Sequence, residues 1–315
     1  MDKMPSVAVV LGTYNGEQYL KEQIDSILMQ EGVKLFVFVR DDSSTDCTMK
    51  ILRRYKECVP NFYIINEGNT KNKGIKTGFI EALKWALSYS DEYDFFAFSD
   101  QDDVWLPRKL ISGIDMLSNS NCPNGALYYS NKTIVNEKLE IEKEEHFKEG
   151  SSFSDFYFVS KAYGCTMIIN RNLAMNCVQY VSKNCHFHDD WIHRLAICLE
   201  CDIFFDNNSY ILYRQHGENN CGTFATDDKP FRHLVKRTIE YIKKGGGHHR
   251  AELAQDIIDN YQSKMRNETI NKLYMIANYK KSLKNKIKLL KNSELSGRKK
   301  KDIIIWKIKV LMNYF

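Results

Sequence analysis

Short apolar runs closed by polar groups alternate with helical periodicities along the first hundred residues. Val7-Ala-Val-Val-Leu11 is a continuous apolar stretch ended by Gly12. Glu17 to Gln30 then places Leu20, Ile24, Ile27 and Leu28 on one helical face. Leu35-Phe-Val-Phe-Val39 repeats the strand pattern and stops at Arg40-Asp41-Asp42. Met49, Leu52 and Tyr55 predict a second helix, with Ser44 or Thr45 placed to cap it. Phe62 to Ile65 reads as a third strand, Thr77 to Tyr89 as a third helix, and Phe95 to Phe98 as a fourth strand.

Solid apolar strands belong to sheets covered on both faces, and strand–helix alternation makes such strands parallel. The expected fold class is therefore α/β, a mostly parallel sheet with helices on both faces. Ligands of these sheets sit beyond the carboxyl ends of the strands. Here those ends are polar: Thr13-Tyr14-Asn15, Asp41-Asp42, and Asp100-Gln101-Asp102-Asp103. Three strand ends point to one rim, and the site is expected there.

The densest of them, "FAFSDQDDVWLPRKL", sets three carboxylates where they repel one another. A hard divalent cation relieves that repulsion. Mg²⁺ characteristically binds through one or two carboxylates plus substrate phosphates. Asp100 and Asp102, with Asp103 beside them, are thus a candidate ligand set. The competing explanation is a solvated turn in which Asp100 or Asp103 caps a helix starting near Leu106-Pro107.

The ordered set TYNG, RDDSSTD, DQDDVWLP, HDDW and YRQHGENN decides between them. Each motif is weak alone. In this order and spacing, from about Ser6 to about Gly222, they resemble the family 2 glycosyltransferases of the GT-A fold, most of all bacterial rhamnosyltransferase-type members. The resemblance implies inverting transfer of one sugar from a nucleotide-diphospho-sugar, dTDP-rhamnose or a UDP-sugar, with Mn²⁺ or Mg²⁺ on the diphosphate. It implies a glycan or lipid-linked acceptor in cell-surface polysaccharide synthesis, such as capsule or O-antigen. By position, Thr13, Tyr14 and Asn15 fall where the nucleotide is held. Asp42, with Asp41 beside it, falls where the base is read, and Asn72 and Gly74 where a loop passes the donor. Asp100 and Asp102 match the D-x-D pair, with Gln101 between them and Asp102 the direct metal ligand. His216 falls where a chain segment returns to the metal, and Arg214 beside it is placed to pair with the diphosphate. Of the acidic pair Asp189-Asp190, the second is implied as general base, with Asp189 orienting it or binding acceptor. The Q-x-x-R-W motif of processive relatives is absent from this stretch, which favours single-sugar addition.

Nine cysteines, an odd number, fit reduced thiols better than a disulfide framework, and Cys198-Leu-Glu-Cys201 lacks a second pair at zinc-ribbon spacing. No apolar run reaches the length of a membrane span, and the N-terminal segment reads as a strand, not a signal peptide. The expectation is a cytoplasmic protein.

Charge divides the chain. Residues 229–315 carry 22 basic against 7 acidic side chains, a balance of +15, and residues 1–228 carry the compensating −10. Two regions are expected, a GT-A catalytic domain over 1–228 and a basic helical region over 229–315, with helices at Phe231–Tyr241 and Ala251–Leu290. Lysines there mix with Ile287, Leu289, Leu290, Ile304, Trp306, Ile308 and Leu311. Basic amphipathic helices of this kind lie on anionic membrane surfaces, so peripheral attachment at the inner face of the cell membrane is expected. Packing on the core or on a second copy of the chain is the other expectation. No nucleic-acid motif is present.

Two other classes were weighed. A nucleotidyltransferase calls for a Gly-rich basic loop after the first strand, and "LGTYNGEQYL" has no Arg or Lys. A catalytically inactive carbohydrate-binding homologue calls for a lost site carboxylate, and none is lost.

Overall fold

The computed structural model describes residues 4–68, 71–91, 93–146, 151–158, 160–217, 239–240, 249–291 and 299–315. The helix expected at Phe231–Tyr241 and the boundary at 228/229 lie outside them, apart from residues 239–240.

The first half follows the apolar pattern. Strands β1 (Ser6–Thr13), β2 (Lys34–Asp41), β3 (Phe62–Ile64) and β4 (Phe95–Ser99) alternate with helices α1 (Leu20–Leu28), α2 (Thr48–Cys58) and α3 (Ile75–Tyr89). The strands pair in parallel in the order β3-β2-β1-β4. Leu20, Ile24 and Ile27 bury the expected face of α1. Ser44 and Thr45 do not cap α2. The helix starts at Thr48, whose N–H is met by the Asp46 carboxylate at 2.9 Å, and the Ser44 hydroxyl is spent on Asp41.

Beyond β4 the sheet departs from the parallel expectation. β8 (Ile168–Asn170) pairs antiparallel to β4 and to β6 (Ala126–Val135), and β9 (Asp202–Arg214) runs parallel to β6. The short β5 (Val104–Trp105) lies antiparallel to β9, and β7 (Ile141–Glu144) antiparallel to β6. All ten residues of β6 are buried, including Ser130, Asn131, Lys132 and Thr133. Polar groups tolerate that burial only when bonded. Asn131 Nδ2 donates to the Asn207 carbonyl at 2.8 Å, and Thr133 Oγ1 to Ser209 Oγ at 2.9 Å. Helices α4 (Lys109–Leu117), α5 (Arg171–Gln179) and α6 (His188–Cys198) complete the layer.

The basic C-terminal region is welded to this layer. Its helices are α7 (Arg250–Tyr261), α8 (Asn267–Ala277), α9 (Leu283–Leu290) and α10 (Lys300–Leu311), so the single helix expected over Ala251–Leu290 is three. Ile257, Tyr261, Leu273, Leu289, Trp306 and Phe315 share one continuous core with Phe38, Phe96 and Trp191. Trp306 and Phe315 pack on Tyr157 at ring separations of 5.7 and 5.9 Å. Trp306 and Leu289 therefore face the interior and are unavailable to a membrane. Ile287, Ile304 and Leu311 remain exposed. Among the described residues no helix is long and apolar enough to cross a bilayer.

Candidate active site

The three strand ends expected at one rim do meet, and most of their polar side chains hold one another. Gln101 clips the β4 end to the β1 end through both its amide atoms. The Tyr14 N–H donates to its Oε1 at 2.7 Å, and its Nε2 donates to the Tyr14 carbonyl at 2.9 Å. A Cβ at Gly16 would fall 2.4 Å from that Oε1 and would displace the Gln101 amide from this clip. Asn15 clips the same loop to the β2 end. Its N–H donates to Ser44 Oγ at 2.8 Å, and its Oδ1 accepts from the Thr45 N–H at 2.8 Å. The backbone of Asn15 is left-handed, φ 47°, a conformation Asn adopts more readily than most residues.

Asp41 and Asp42 point opposite ways. Asp41 is buried and accepts from Thr13 Oγ1 at 2.9 Å, from the Ser44 hydroxyl, and from the Ser43 and Ser44 N–H groups at 3.1 and 2.8 Å. Its lone pairs are taken. It braces the rim and leaves Asp42 to the loop that passes over it. Asp42 accepts from Arg40 Nη1 at 2.6 Å and from the N–H groups of Lys73 and Gly74, each at 2.8 Å. Asn72 closes the loop, its Nδ2 donating to the Asp42 carbonyl at 3.0 Å and its Oδ1 accepting from Gly74. Desolvation opposes ionisation of Asp42, but these donors outweigh it and hold the carboxyl below the usual range. Tyr14 of the first motif leaves a large free surface, 51% exposed at the rim.

The acidic turn divides in the same manner. Asp102 faces the last strand's end, where its Oδ2 lies 2.9 Å from His216 Nε2. Asp100 stands beside it. Burial first, then the charges of Asp102 and Asp189, push the Asp100 carboxyl up to about 7. Asp103 is 1% exposed, with Oδ1 accepting the Arg214 N–H at 3.1 Å, Oδ2 without a hydrogen-bond partner, and its carboxylate clustered with Asp100 and Cys165. Neither Asp100 nor Asp103 caps a helix, because α4 begins at Lys109 with Arg108 as its first flanking residue. The capping explanation of these carboxylates fails. Asp102 and His216 bring a carboxylate oxygen and an imidazole nitrogen together at 2.9 Å, and ligand atoms of Asp100, Asp103 and Cys165 lie within 4.8 Å of one another beside them, carboxylate and imidazole donors that suit Mn²⁺ or Mg²⁺. The crowding that lifts Asp100 is what a cation would relieve, so the residues fit the metal.

Arg214 was expected to pair with the diphosphate. It is 2% exposed, and its guanidinium is spent elsewhere. Nε donates to the Asp102 carbonyl at 2.9 Å, Nη1 to the Glu137 carbonyl, and Nη2 to the Glu22 carboxylate, with the plane 4.4 Å above the Tyr19 ring. It is a strut that ties the acidic turn to α1 and β9.

Asp189 and Asp190 occupy the first turn of α6 and part company there. Asp189 faces Asp100. Its Oδ2 accepts from the Gly164 N–H at 3.1 Å, its Oδ1 from the Asp190 N–H at 2.7 Å. Burial and the neighbouring Asp190 charge raise its carboxyl to about 6. Asp190 pairs with Arg194 at 2.7 Å and Arg250 at 3.3 Å and accepts from the Cys185 thiol at 3.2 Å. It is nearly buried, yet the arginine charges hold it well below the carboxylate range. The resemblance implies Asp190 as the base, but here its carboxylate is held by two arginines. A carboxylate so stabilised is a poor proton acceptor, and the poised member of the pair is Asp189.

Three further contributors were given no role by the sequence. Gly164 must be glycine, since a Cβ there would meet His188 Nε2 at 2.5 Å. His188 is buried against Phe79, 3.9 Å between rings, and burial pushes its pKa down to about 3, so it serves as a neutral floor. Lys132 stands between the rings of Tyr163 and Tyr213, at 3.5 and 3.9 Å, and its charge partly offsets the rise at Asp100. A lysine inside a strand as apolar as "ALYYSNKTIV" was the available clue to it.

An α/β sheet with this rim, a D-x-D turn and an acidic helix start defines a GT-A glycosyltransferase. Residues 8–178 match the model of glycosyl transferase family 2, and the chain belongs to that family. It is 27% identical over 235 residues to dTDP-rhamnosyl transferase RfbG of Shigella flexneri, covering 71% of this chain and 78% of the relative. It is also 27% identical over 141 residues to a β-1,3-glucosyltransferase of Escherichia coli, WfgD, covering 44% of this chain and 49% of that one. Among solved structures the fold is similar to Staphylococcus aureus TarS 1-349 in complex with UDP-GlcNAc, with TM-score 0.57 and 17% identity, covering 98% of this chain and 80% of that one. It is similar too to the mannosyltransferase PcManGT of Pyrobaculum calidifontis with GDP-Man and Mn²⁺, with TM-score 0.51 and 18% identity, covering 100% of this chain and 89% of that one.

Proposed function

We propose that this glycosyltransferase moves one sugar, with inversion, from a nucleotide-diphospho-sugar to a glycan or lipid-linked acceptor in cell-surface polysaccharide synthesis. The donor class we favour is dTDP-rhamnose or a UDP-sugar, by likeness to the rhamnosyl transferase. One observation carries the reading: Asp102 meets His216 at 2.9 Å, and the charges of Asp102 and of a separate raised carboxylate, Asp189, both act on Asp100.

A divalent cation, when bound, neutralises the diphosphate as it leaves. The chain's own residues do the rest. Asp102 and His216 would hold the cation from two chain segments, with the Asp100 carboxylate beside them. Tyr14 offers its exposed ring to the nucleotide, over a shelf formed by the β1 and β2 ends and the Asn72–Gly74 loop. Asp189 accepts the proton of the attacking acceptor hydroxyl at its carboxylate, fixed in place by two backbone N–H groups. A carboxyl near pKa 6 is ionised at neutral pH and is still a better proton acceptor than an ordinary aspartate. Gly164 and His188 pack against that turn and shape its floor.

The second part of the proposal is location. α9 and α10 show two solvent stripes: Leu283, Lys284, Ile287 and Lys288, and Lys300, Ile304, Lys307 and Leu311. Neither stripe carries an acid. Lysines alternating with aliphatic side chains suit an anionic lipid surface, to which each basic residue contributes about 1 kcal/mol. That surface would present a lipid-linked acceptor to the rim.

Turnover of a panel of dTDP-, UDP- and GDP-sugars, with Mn²⁺ and with EDTA, tests the chemistry. Metal-dependent release of one nucleoside diphosphate is the expected result. Release that EDTA leaves untouched would remove the metal from the reaction.

A further inference from the structure

Arg250 opens α7, far along the chain from the catalytic motifs, yet its guanidinium reaches the acidic pair. Its Nη1 donates to the Asp190 carboxylate at 3.3 Å, while Arg194, one turn along α6, meets the other Asp190 oxygen at 2.7 Å. Both arginines are buried, at 5% and 0% exposure. Arg194 is immobile, because its Nη atoms also donate to the carbonyls of Asp155, Phe156 and Phe158. Asp190 is thereby gripped from two sides, by its own helix and by the C-terminal region. The Asp190 N–H in turn donates to Asp189 Oδ1 at 2.7 Å. The chain of contacts thus runs from α7, through the Asp190 carboxylate and backbone, to the carboxylate that faces Asp100.

We infer that Arg250 is a positioning residue for sugar transfer: by gripping Asp190 from the C-terminal region it fixes the turn of α6 that aims Asp189 at the acceptor. This rests on the reading of Asp189 as general base. The C-terminal helices are then part of the active site and not an appendage to it. A displacement of about 1 Å at a reacting group costs up to about 10²-fold in rate. Loss of one of two grips on Asp190 has an effect of that order, while the metal corner, built from β4 and β9, is untouched.

The experiment is a double-mutant cycle on the full chain, with Arg250→Met, Asp190→Asn and the double variant. Calorimetry gives affinity for nucleoside diphosphate plus Mn²⁺, and steady-state assays give kcat and KM for transfer. Arg250→Met should lower kcat by about 10- to 100-fold and leave donor affinity within about twofold. In the Asp190→Asn background it should cost nothing further, because the grip is already gone, and Arg250→Lys should recover most of the rate. A merely structural role predicts losses that multiply and donor affinity that falls in step. Either result overturns the inference, as does wild-type turnover in Arg250→Met. Should Arg250→Met fail to fold, Arg250→Gln against Asp190→Asn reads the same coupling, loss alone and none in combination. Asp189→Asn keeps the two ideas apart. Full turnover in that variant sinks the base assignment. Loss there beside normal Arg250→Met turnover sinks this inference alone.

Discussion

Asp102 Oδ2 and His216 Nε2 lie 2.9 Å apart, although 114 positions separate them in the chain. The strut that makes this possible is Arg214, which reaches from β9 to the Asp102 carbonyl and to Glu22 on α1. A lone aspartate turn becomes a candidate metal corner when a second segment is brought back to it.

Asp102→Ala should therefore weaken Mn²⁺-dependent binding of a nucleoside diphosphate by about 10²-fold, a loss of about 2.7 kcal/mol. His216→Ala should cost less, and the two effects should not add, since both act through one ion. Calorimetric titration checks this. Additive losses would mean that His216 does not share the cation.

Metal affinity should depend on pH through Asp100. Burial and like charges push this carboxyl up to about 7, so a proton competes with the cation below that value. Affinity should rise about fivefold from pH 6 to pH 7, about twofold more by pH 8, and level off above that. Titrations at constant ionic strength test the sign. A flat profile in the wild type, or one unchanged in Asp100→Asn, would exclude Asp100 from the ligand set.

Within the acidic pair, Asp189→Asn should lower transfer by about 10²- to 10⁴-fold with donor affinity kept. The rate in the wild type should fall as pH drops through about 6, because Asp189, raised to that value, gains its proton there. Asp190→Asn should retain a larger share of the rate. If Asp190→Asn is the dead variant and Asp189→Asn the active one, the assignment made from the arginine contacts is wrong.

Trp306→Ala should destabilise the fold by about 3–5 kcal/mol, the usual cost of emptying a buried aromatic site. Trp306 is 2% exposed and packs on Tyr157 and Phe315. Removing the chain from Lys280 onward strips the same core and should lower the melting temperature along with activity. Denaturant unfolding followed by tryptophan fluorescence measures it. An unchanged midpoint in either variant would show that α10 does not belong to the core.

Reversing charge on the two solvent stripes, Lys284→Glu, Lys288→Glu, Lys300→Glu and Lys307→Glu together, should abolish sedimentation with phosphatidylglycerol vesicles at low salt. Metal-dependent turnover of a soluble donor should survive. High salt should release the wild type, because such attraction is screened. A wild type that stays in the supernatant with these vesicles would leave the stripes to solvent, or to a second copy of the chain if its sedimentation coefficient shows a dimer.

The sequence by itself determined the first four strands, the rim at their carboxyl ends and the residue types gathered there. Apolar periodicity is a local property, and each parallel strand announced itself by a solid run such as Leu35-Phe-Val-Phe-Val39. It did not announce β5 to β9, where β5 and β8, of two and three residues, pair with partners tens of residues away and where β6 buries Asn131 and Thr133 against β9. Nor could it choose within the acidic pairs. Neighbouring side chains leave the backbone in different directions, so one of Asp41 and Asp42, of Asp102 and Asp103, and of Asp189 and Asp190 is turned to an internal partner. Which one is fixed by donors remote in sequence: Thr13 for Asp41, the Arg214 N–H for Asp103, Arg250 for Asp190. The same holds for the basic tail. Its amphipathic pattern was legible, but whether Trp306 met lipid or Tyr157 depended on a core that only the folded chain assembles.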